Sequence, residues 1–318
     1  MTITWNGADL PSQNGRRVLI TGANSGIGYM AALKLARKGA TVVLACRDRA
    51  RGEAAKALIQ VEAPAARLEL LLLDLGSLES VHEAAKQELE RGLPLDVLIN
   101  NAGVMAPPKR QETKDGFELQ FGTNVLGHFA LTGLLMPALE RAATAAATEA
   151  QRPRVVTIAS IAHKRGRIDF DDLQSTRQYS PLKAYQQSKL ADLMFSFELE
   201  RRLQAKGSGV ISIAAHPGVA ETKLFVRDDY HPVEHAMRRV IGVIIGAVLN
   251  TDAEGALPTL YAATADQAVG GGYYGPQGFA EMRGDTVGDA KVSPQARDAA
   301  AAARLWGLCE ELTGVRFP

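Results

Sequence analysis

From Arg17 onward, strand-like and helix-like segments alternate, and the strand-like ones show no polar alternation. Arg17–Thr21 (RVLIT), Thr41–Ala45 (TVVLA), Leu68–Leu73 and Asp96–Asn100 read as strands. Tyr29–Lys38, Ala50–Glu62 and Ser77–Arg91 read as the helices between them, closed by Gly39, Pro64 and Gly92. The rhythm continues with a helical region from Asp115 to about Ala147, a strand at Arg154–Ala159, a helix at Pro181–Ala205, a strand at Val210–Ala214 and a last strand starting near Gly272. Strands apolar on both sides must be covered on both faces, and strands separated by helices pair in parallel. The expected class is α/β, a parallel sheet with helices on both faces. No linker divides the chain, so one domain is expected over residues 1–318. A segment at about 222–252 breaks the rhythm and reads as an inserted substrate lid.

Composition supports such a core and removes several functions. Hydrophobic residues make up 46% and charged residues 22%, which excludes a disordered or fibrous chain. Lys and Arg (36) balance Asp and Glu (35), too little positive charge for a nucleic-acid partner. Cys46 and Cys309 are far apart and form neither a disulfide framework nor a zinc spacing, and His231 and His235 lack an acidic partner, so no metal is expected. Met1 to Arg17 is polar, and the longest apolar run, Val240–Leu249, is half the length of about 20 residues that a span needs. A cytoplasmic protein without a transmembrane segment is expected.

The turn after the first strand is Thr21-Gly-Ala-Asn-Ser-Gly-Ile-Gly28, and it opens the first helix. A pyrophosphate must approach backbone amides at a helix N-terminus, which side chains would obstruct. Gly22, Gly26 and Gly28 remove those side chains, and Asn24, Ser25 and Ile27 complete the turn. The end of the second strand selects the cofactor. A carboxylate there would hold the ribose hydroxyls of NAD; this chain has Cys46 followed by Arg47, and an arginine suits a 2′-phosphate. NADP(H) is therefore favoured over NAD(H), with Asp48 as the contrary sign. Asp74 and Leu75 end the third strand, where Asp74 can accept from an adenine amino group. Asn101, Ala102 and Gly103 follow the fourth strand, small enough to pass beneath a ribose.

Tyr185 and Lys189 are four residues apart, one turn along one face of a helix. A neighbouring ammonium favours a phenolate, so Tyr185 can exchange a proton with a substrate oxygen. Ser160, just after the fifth strand, can hydrogen-bond the same oxygen. His128 reads as a packing or capping residue, His163 as a solvated loop histidine, and His216 as ordering the turn at Pro217. Phe225, Tyr230 and Met237 suit either pocket lining or ordinary packing of the inserted segment.

Taken together, these pieces resemble the short-chain dehydrogenase/reductases over Gly15 to about Gly278. The resemblance rests on the glycine turn, Asn100-Asn-Ala-Gly103, Ser160, Tyr185-x-x-x-Lys189 and Pro217-Gly218. It implies a Rossmann-like domain with a seven-stranded parallel sheet, Tyr185 as acid/base and Ser160 as the carbonyl-orienting hydroxyl. Lys189 would bind the nicotinamide ribose and favour the Tyr185 phenolate, and Asn124 would hold a proton-relay water. Pro217, Gly218, Val219 and Thr222 would contact the nicotinamide amide and phosphates. Homodimers or homotetramers are common in this family. The interval from Ser160 to Tyr185 is 25 positions, about twice the usual one, with a charged insertion at 162–182. In this, and in Ala45-Cys-Arg-Asp48, Ser188-Lys-Leu190 and His216-Pro-Gly-Val219, the chain resembles the retinol dehydrogenase and protochlorophyllide reductase-like branch. Its C-terminal portion resembles bacterial members. The resemblance implies a hydrophobic carbonyl or alcohol as substrate; with NADPH, favoured by Arg47, in a reducing cytoplasm, the expected direction is reduction. A redox sensor on the same fold would be expected to lack Tyr185 or Lys189. A nucleotide-sugar epimerase or dehydratase would show a different glycine spacing and a larger C-terminal domain.

Overall fold

The structure, a computed structural model, describes residues 5–146, 148–219 and 250–318. Its centre is one sheet in the order β3-β2-β1-β4-β5-β6-β7-β8. The strands are β1 (Arg17–Thr21), β2 (Thr41–Cys46), β3 (Arg67–Leu72), β4 (Val97–Asn100), β5 (Arg154–Ile158), β6 (Ile211–Ala215), β7 (Tyr273–Pro276) and β8 (Val287–Asp289). The first seven run parallel, as expected. The eighth is an addition: β8 returns antiparallel along β7, with Tyr274 opposite Asp289, and Trp5 bridges to Val287.

Register places Leu19 between Val43 and Leu98. Alternate residues then enter two separate cores. Leu19, Val43 and Leu98 face one, with Phe129, Leu193 and Trp306; Ile20, Val42 and Ile99 face the other, with Leu33, Ile59 and Leu260. The helices α3 (Leu78–Glu90), α4 (Gly127–Ala145), α5 (Pro181–Lys206) and α8 (Ala299–Thr313) cover the first face. The second is covered by α1 (Gly26–Arg37), α2 (Arg49–Glu62), α6 (Asp252–Gly255) and α7 (Leu257–Thr264). Strand order reverses between β1 and β4. That opens a crevice beyond their carboxyl ends, the place where ligands bind in such sheets.

Two regions differ from the reading of the sequence. The helix expected from Asp115 starts at Leu119, because Thr113 to Phe117 closes a turn at Gly116 (φ 82°) and Glu118 caps the first helical turn. The Glu118 carboxylate accepts from the amides of Gln120 (3.0 Å) and Phe121 (2.7 Å), and residues 121–126 then form a π turn before α4. The C-terminal helix α8 was also not anticipated. Asp298 caps it through the Ala301 amide, and Trp306 packs 4.9 Å from Phe129 and stacks 5.7 Å from Phe195. No helix among the described residues is long and apolar enough to cross a membrane. Thr222, Phe225, Tyr230, His231, His235, Met237, the Val240–Leu249 run and nearly all of the expected lid lie outside the described residues.

Candidate active site

The glycine turn lies at the mouth of the crevice. Gly22 (φ 67°) and Gly26 (φ 58°) occupy the left-handed region that residues with a Cβ avoid. Gly28 serves close packing instead. A Cβ there would fall 2.5 Å from Asn101 Nδ2 and 2.6 Å from the Gly22 carbonyl oxygen, so the missing side chain lets α1 pack onto the turn. The helix α2 is capped by Asp48, and α3 by Ser77. At the start of α1, Ser25 is extended and exposed, and its hydroxyl makes no cap. The first-turn amides of α1 are thus left for an outside anion, and a dinucleotide pyrophosphate fits this cradle. Ile27 is buried in the core, so what it can offer a phosphate is its amide. Asn24 is half-buried beside it.

At the end of β2, Cys46 is buried and its thiol donates to the Asp48 carbonyl at 3.6 Å. Arg47 is exposed and pairs with no group among the described residues. The Asp48 carboxylate is occupied by the Arg51 amide (2.9 Å). Asp74 accepts from the Gly76 amide (3.0 Å) and remains half-buried at the end of β3, while Leu75 packs inward against Gly127. The amides of Asn101 and Ala102 both donate to Thr21 Oγ1 at 2.9 Å, and Asn101 Nδ2 donates to the Thr21 carbonyl at 2.8 Å. These bonds fasten the Asn-Asn-Ala-Gly run to the end of β1.

The π turn brings Asn124 inward. Its amide exchanges two bonds with Val104 (2.8 and 3.1 Å) and donates to Ser188 Oγ at 3.0 Å. His128, one turn later, donates from Nδ1 to the Asn124 carbonyl (2.8 Å), which leaves Nε2 to accept from Thr21 Oγ1 (2.9 Å). Burial first, then the nearby Lys189 charge, lowers His128 to about 4 despite the bond to Asn124, so the ring is neutral. The packing reading of His128 holds, with the addition that it ties the end of β1 to Asn124.

Lys189 is buried on α5 and donates to the Ile158 carbonyl and to Asp192 Oδ2, both at 2.8 Å. A Cβ on Gly103 would sit 3.2 Å from Asn124 Oδ1 and 3.9 Å from Lys189 Nζ, so these three residues converge. Tyr185 lies one turn earlier, half-buried. Ser160 opens the 3-10 turn Ile161–Arg165, with its hydroxyl accepting from the Ala162 amide at 3.2 Å. This turn is pressed against α5 at Gly166, where a Cβ would lie 2.5 Å from the Gln186 carbonyl. Gln187, between Tyr185 and Lys189, accepts from the Asp169 amide (2.8 Å) and donates to the Leu173 carbonyl (3.0 Å). The long insertion therefore folds back onto the helix that carries Tyr185.

His163 requires a correction, because it is fully buried rather than solvated. Its Nδ1 donates to the Ser160 carbonyl (2.6 Å) and its Nε2 accepts from the Ser293 amide (3.3 Å). The C-terminal segment folds over it, which no local pattern announces. Behind Ser160 it joins a polar cluster with Tyr273, His216, Glu281 and Lys164. Lys164 pairs with Glu281 at 2.6 Å. His216 accepts from the Gly218 amide (3.1 Å) and so orders the Pro217 turn as expected; Gly218 (φ 74°) and Val219 continue that turn against Met282. Burial, with the charge of Lys164 adding to it, lowers His216 to about 3. Asp192, Gln187, Thr21 and Glu281 were not singled out from the sequence. The signal for Asp192 was a carboxylate three residues after Lys189, one turn along the same helix.

The parallel sheet with its crevice and glycine turn agrees with the comparisons. A family model for short chain dehydrogenase matches residues 16–231. The chain belongs to the short-chain dehydrogenases. Within them it falls in the retinol dehydrogenase-like branch. It is 41% identical to human retinol dehydrogenase 13 over 307 residues, covering 96% of this chain and 86% of the relative. It is 42% identical to mouse polyprenol dehydrogenase over the same length and coverage. The crystal structure of an uncharacterized protein from Mycobacterium paratuberculosis matches at TM-score 0.77 and 42% identity, covering 99% of each chain. This short-chain dehydrogenase is accordingly an oxidoreductase of carbonyl and alcohol groups that uses a nicotinamide dinucleotide.

Proposed function

We propose that this short-chain dehydrogenase is an NADP(H)-dependent enzyme that interconverts a hydrophobic aldehyde or ketone and its alcohol, working as a reductase. The observation that carries the cofactor choice is the end of β2. Arg47 is exposed there without a partner among the described residues, and the Asp48 carboxylate is turned into the cap of α2. Arginine binds phosphate through a fixed fork of donors.

The nicotinamide, when bound, supplies or accepts the hydride. The chain does the rest. The first-turn amides of α1 hold the pyrophosphate, and Asp74 and the Asn101–Gly103 run border the adenosine. Ser160 donates to the substrate oxygen and fixes it. The Tyr185 hydroxyl gives its proton to that oxygen in reduction and takes it back in oxidation. Lys189 holds the nicotinamide ribose and favours the phenolate, and Asn124 anchors the inner end of the proton path. The relatives' names, a retinol and a polyprenol dehydrogenase, support an isoprenoid alcohol or aldehyde as the substrate class.

The test is NADPH consumption with retinal, long-chain isoprenoid aldehydes and steroid ketones, with NADH in parallel and Tyr185→Phe as the blank. NADPH turnover that falls about a thousandfold in the blank is expected. Arg47→Ala should cut the preference for NADPH by roughly 10- to 100-fold, the size of a lost charge-assisted contact. Equal or better turnover with NADH by the unaltered protein would overturn the cofactor reading.

A further inference from the structure

A charged pair lies inside the molecule beside the proposed acid/base. Lys189 Nζ and Asp192 Oδ2 are 2.8 Å apart, and the two residues are 6% and 3% exposed. An ammonium has three donors. In Lys189 one is spent on the Ile158 carbonyl and one on Asp192, which leaves the third for the mouth beside Gly103. The two titratable groups that face the pair from other helices are neutral. His128 on α4 is held at about 4, chiefly by burial. Cys309 on α8 is a thiol that burial, then the charges of Asp192 and Glu310, push up. Tyr185 faces the pair from its own helix.

We propose that Asp192 is a positioning residue of the reaction: it holds Lys189 in place and, by cancelling part of its charge, sets how strongly the ammonium favours the Tyr185 phenolate. The protonation of the pair agrees with this geometry. Burial lifts the Asp192 carboxyl to about 6 against the pull of Lys189. Burial acts against the Lys189 ammonium, but the Asp192 charge, Tyr185 and the hydrogen bond to Asp192 together outweigh it and the group is raised. While Asp192 is ionised the two form an ion pair; once it takes a proton, the ammonium acts on Tyr185 undiminished.

This inference rests on the acid/base role proposed for Tyr185, so its test reads Tyr185 without turnover. Tyrosinate absorbance is titrated in the cofactor-free full chain for the unaltered protein and for Asp192→Asn, each against its Tyr185→Phe counterpart; the differences isolate Tyr185. At a fixed alkaline pH, Asp192→Asn should raise the phenolate fraction of Tyr185 severalfold, up to about tenfold. The rising limb of kcat/KM for alcohol oxidation should move to lower pH by the matching amount. Asp192→Glu keeps the charge and should keep the original titration. Asp192→Ser is a second neutral variant should the asparagine protein not fold. An unchanged Tyr185 titration in a folded neutral variant overturns the role of Asp192. Full activity of Tyr185→Phe would instead overturn the reading of the reaction, and the two failures are separately visible.

Discussion

The half of the molecule that borders the cofactor and the half that carries the proposed chemistry are built in different ways. From β1 to β4 most features are local, the bonds of Asn101 and Ala102 to Thr21 apart. Two glycines with positive φ form the turn, Asp48 and Ser77 cap the helices next to them, and Arg47 projects from the residue after its strand. In the other half no feature is complete without a distant partner. Ser160 is held through His163 by Ser293, Asn124 is tied through His128 to Thr21, and Lys189 needs Ile158 and Asp192. Phosphate and ribose can be met by backbone amides and one or two side chains on short turns. Moving a proton between a phenol and a substrate needs groups whose charge and position are set inside the protein, where the dielectric is low and every polar atom must be matched.

The largest contrast should appear in the response to acid. His128 has its folded value lowered to about 4 from 6.5, and His216 to about 3, both mainly by burial. A lowered value means the folded protein binds the proton less readily than the unfolded chain. Their stability contribution is therefore complete above pH 6.5 and is lost as pH falls toward 4, on the order of 3 kcal/mol for each. Asp192 has the opposite sign: raised to about 6 from 3.8, its contribution is present below 3.8 and lost as pH rises through 6. Urea unfolding at pH 7 and pH 5 should show the two histidines dominating. His128→Gln should be less stable at pH 7 and lose less on acidification; equal losses in both proteins would break the contrast.

A smaller effect is expected where the two halves touch. Gly28→Ala places a Cβ against Asn101 and the Gly22 carbonyl, so the turn must shift, at a cost of roughly 1–3 kcal/mol and with weaker NADPH binding. Calorimetric melting and cofactor fluorescence would read both; normal binding would mean that the cradle tolerates movement. The smallest effect belongs to Asp48→Ala, which removes the α2 cap at about 1 kcal/mol and leaves the NADPH-to-NADH ratio unchanged. A changed ratio would show that Asp48 reaches the ribose after all and that this half is less local than its bonds suggest.

Much of the fold was legible because its signals are local. Seven parallel strands follow from apolar runs separated by helices, and β5 and α5 lie within a residue of the expected ends. The antiparallel β8 was hidden, since three residues, Val287-Gly-Asp289, carry no strand pattern of their own. The helix α8 was hidden for another reason: Phe129 and Phe195, which fasten it, are far away in the chain. In the site, Ser160, Tyr185 and Lys189 are found by type and spacing, and Asp192 is marked only by its place three residues after Lys189, whereas nothing local marks His163 as buried.

The chain by itself determined the α/β alternation, the glycine turn and the residues able to do carbonyl chemistry, because these depend on backbone freedom, side-chain type and helical spacing. Only the tertiary structure decided which of the polar residues are dry. Burial turns His163 from a loop side chain into the support of Ser160, makes Asp192 the counter-charge of Lys189 and keeps His128 neutral between Thr21 and Asn124. The physical reason is desolvation. A charge or hydrogen bond that counts for little in water becomes decisive once water is excluded, and which groups lose their water depends on contacts between residues up to about 130 positions apart.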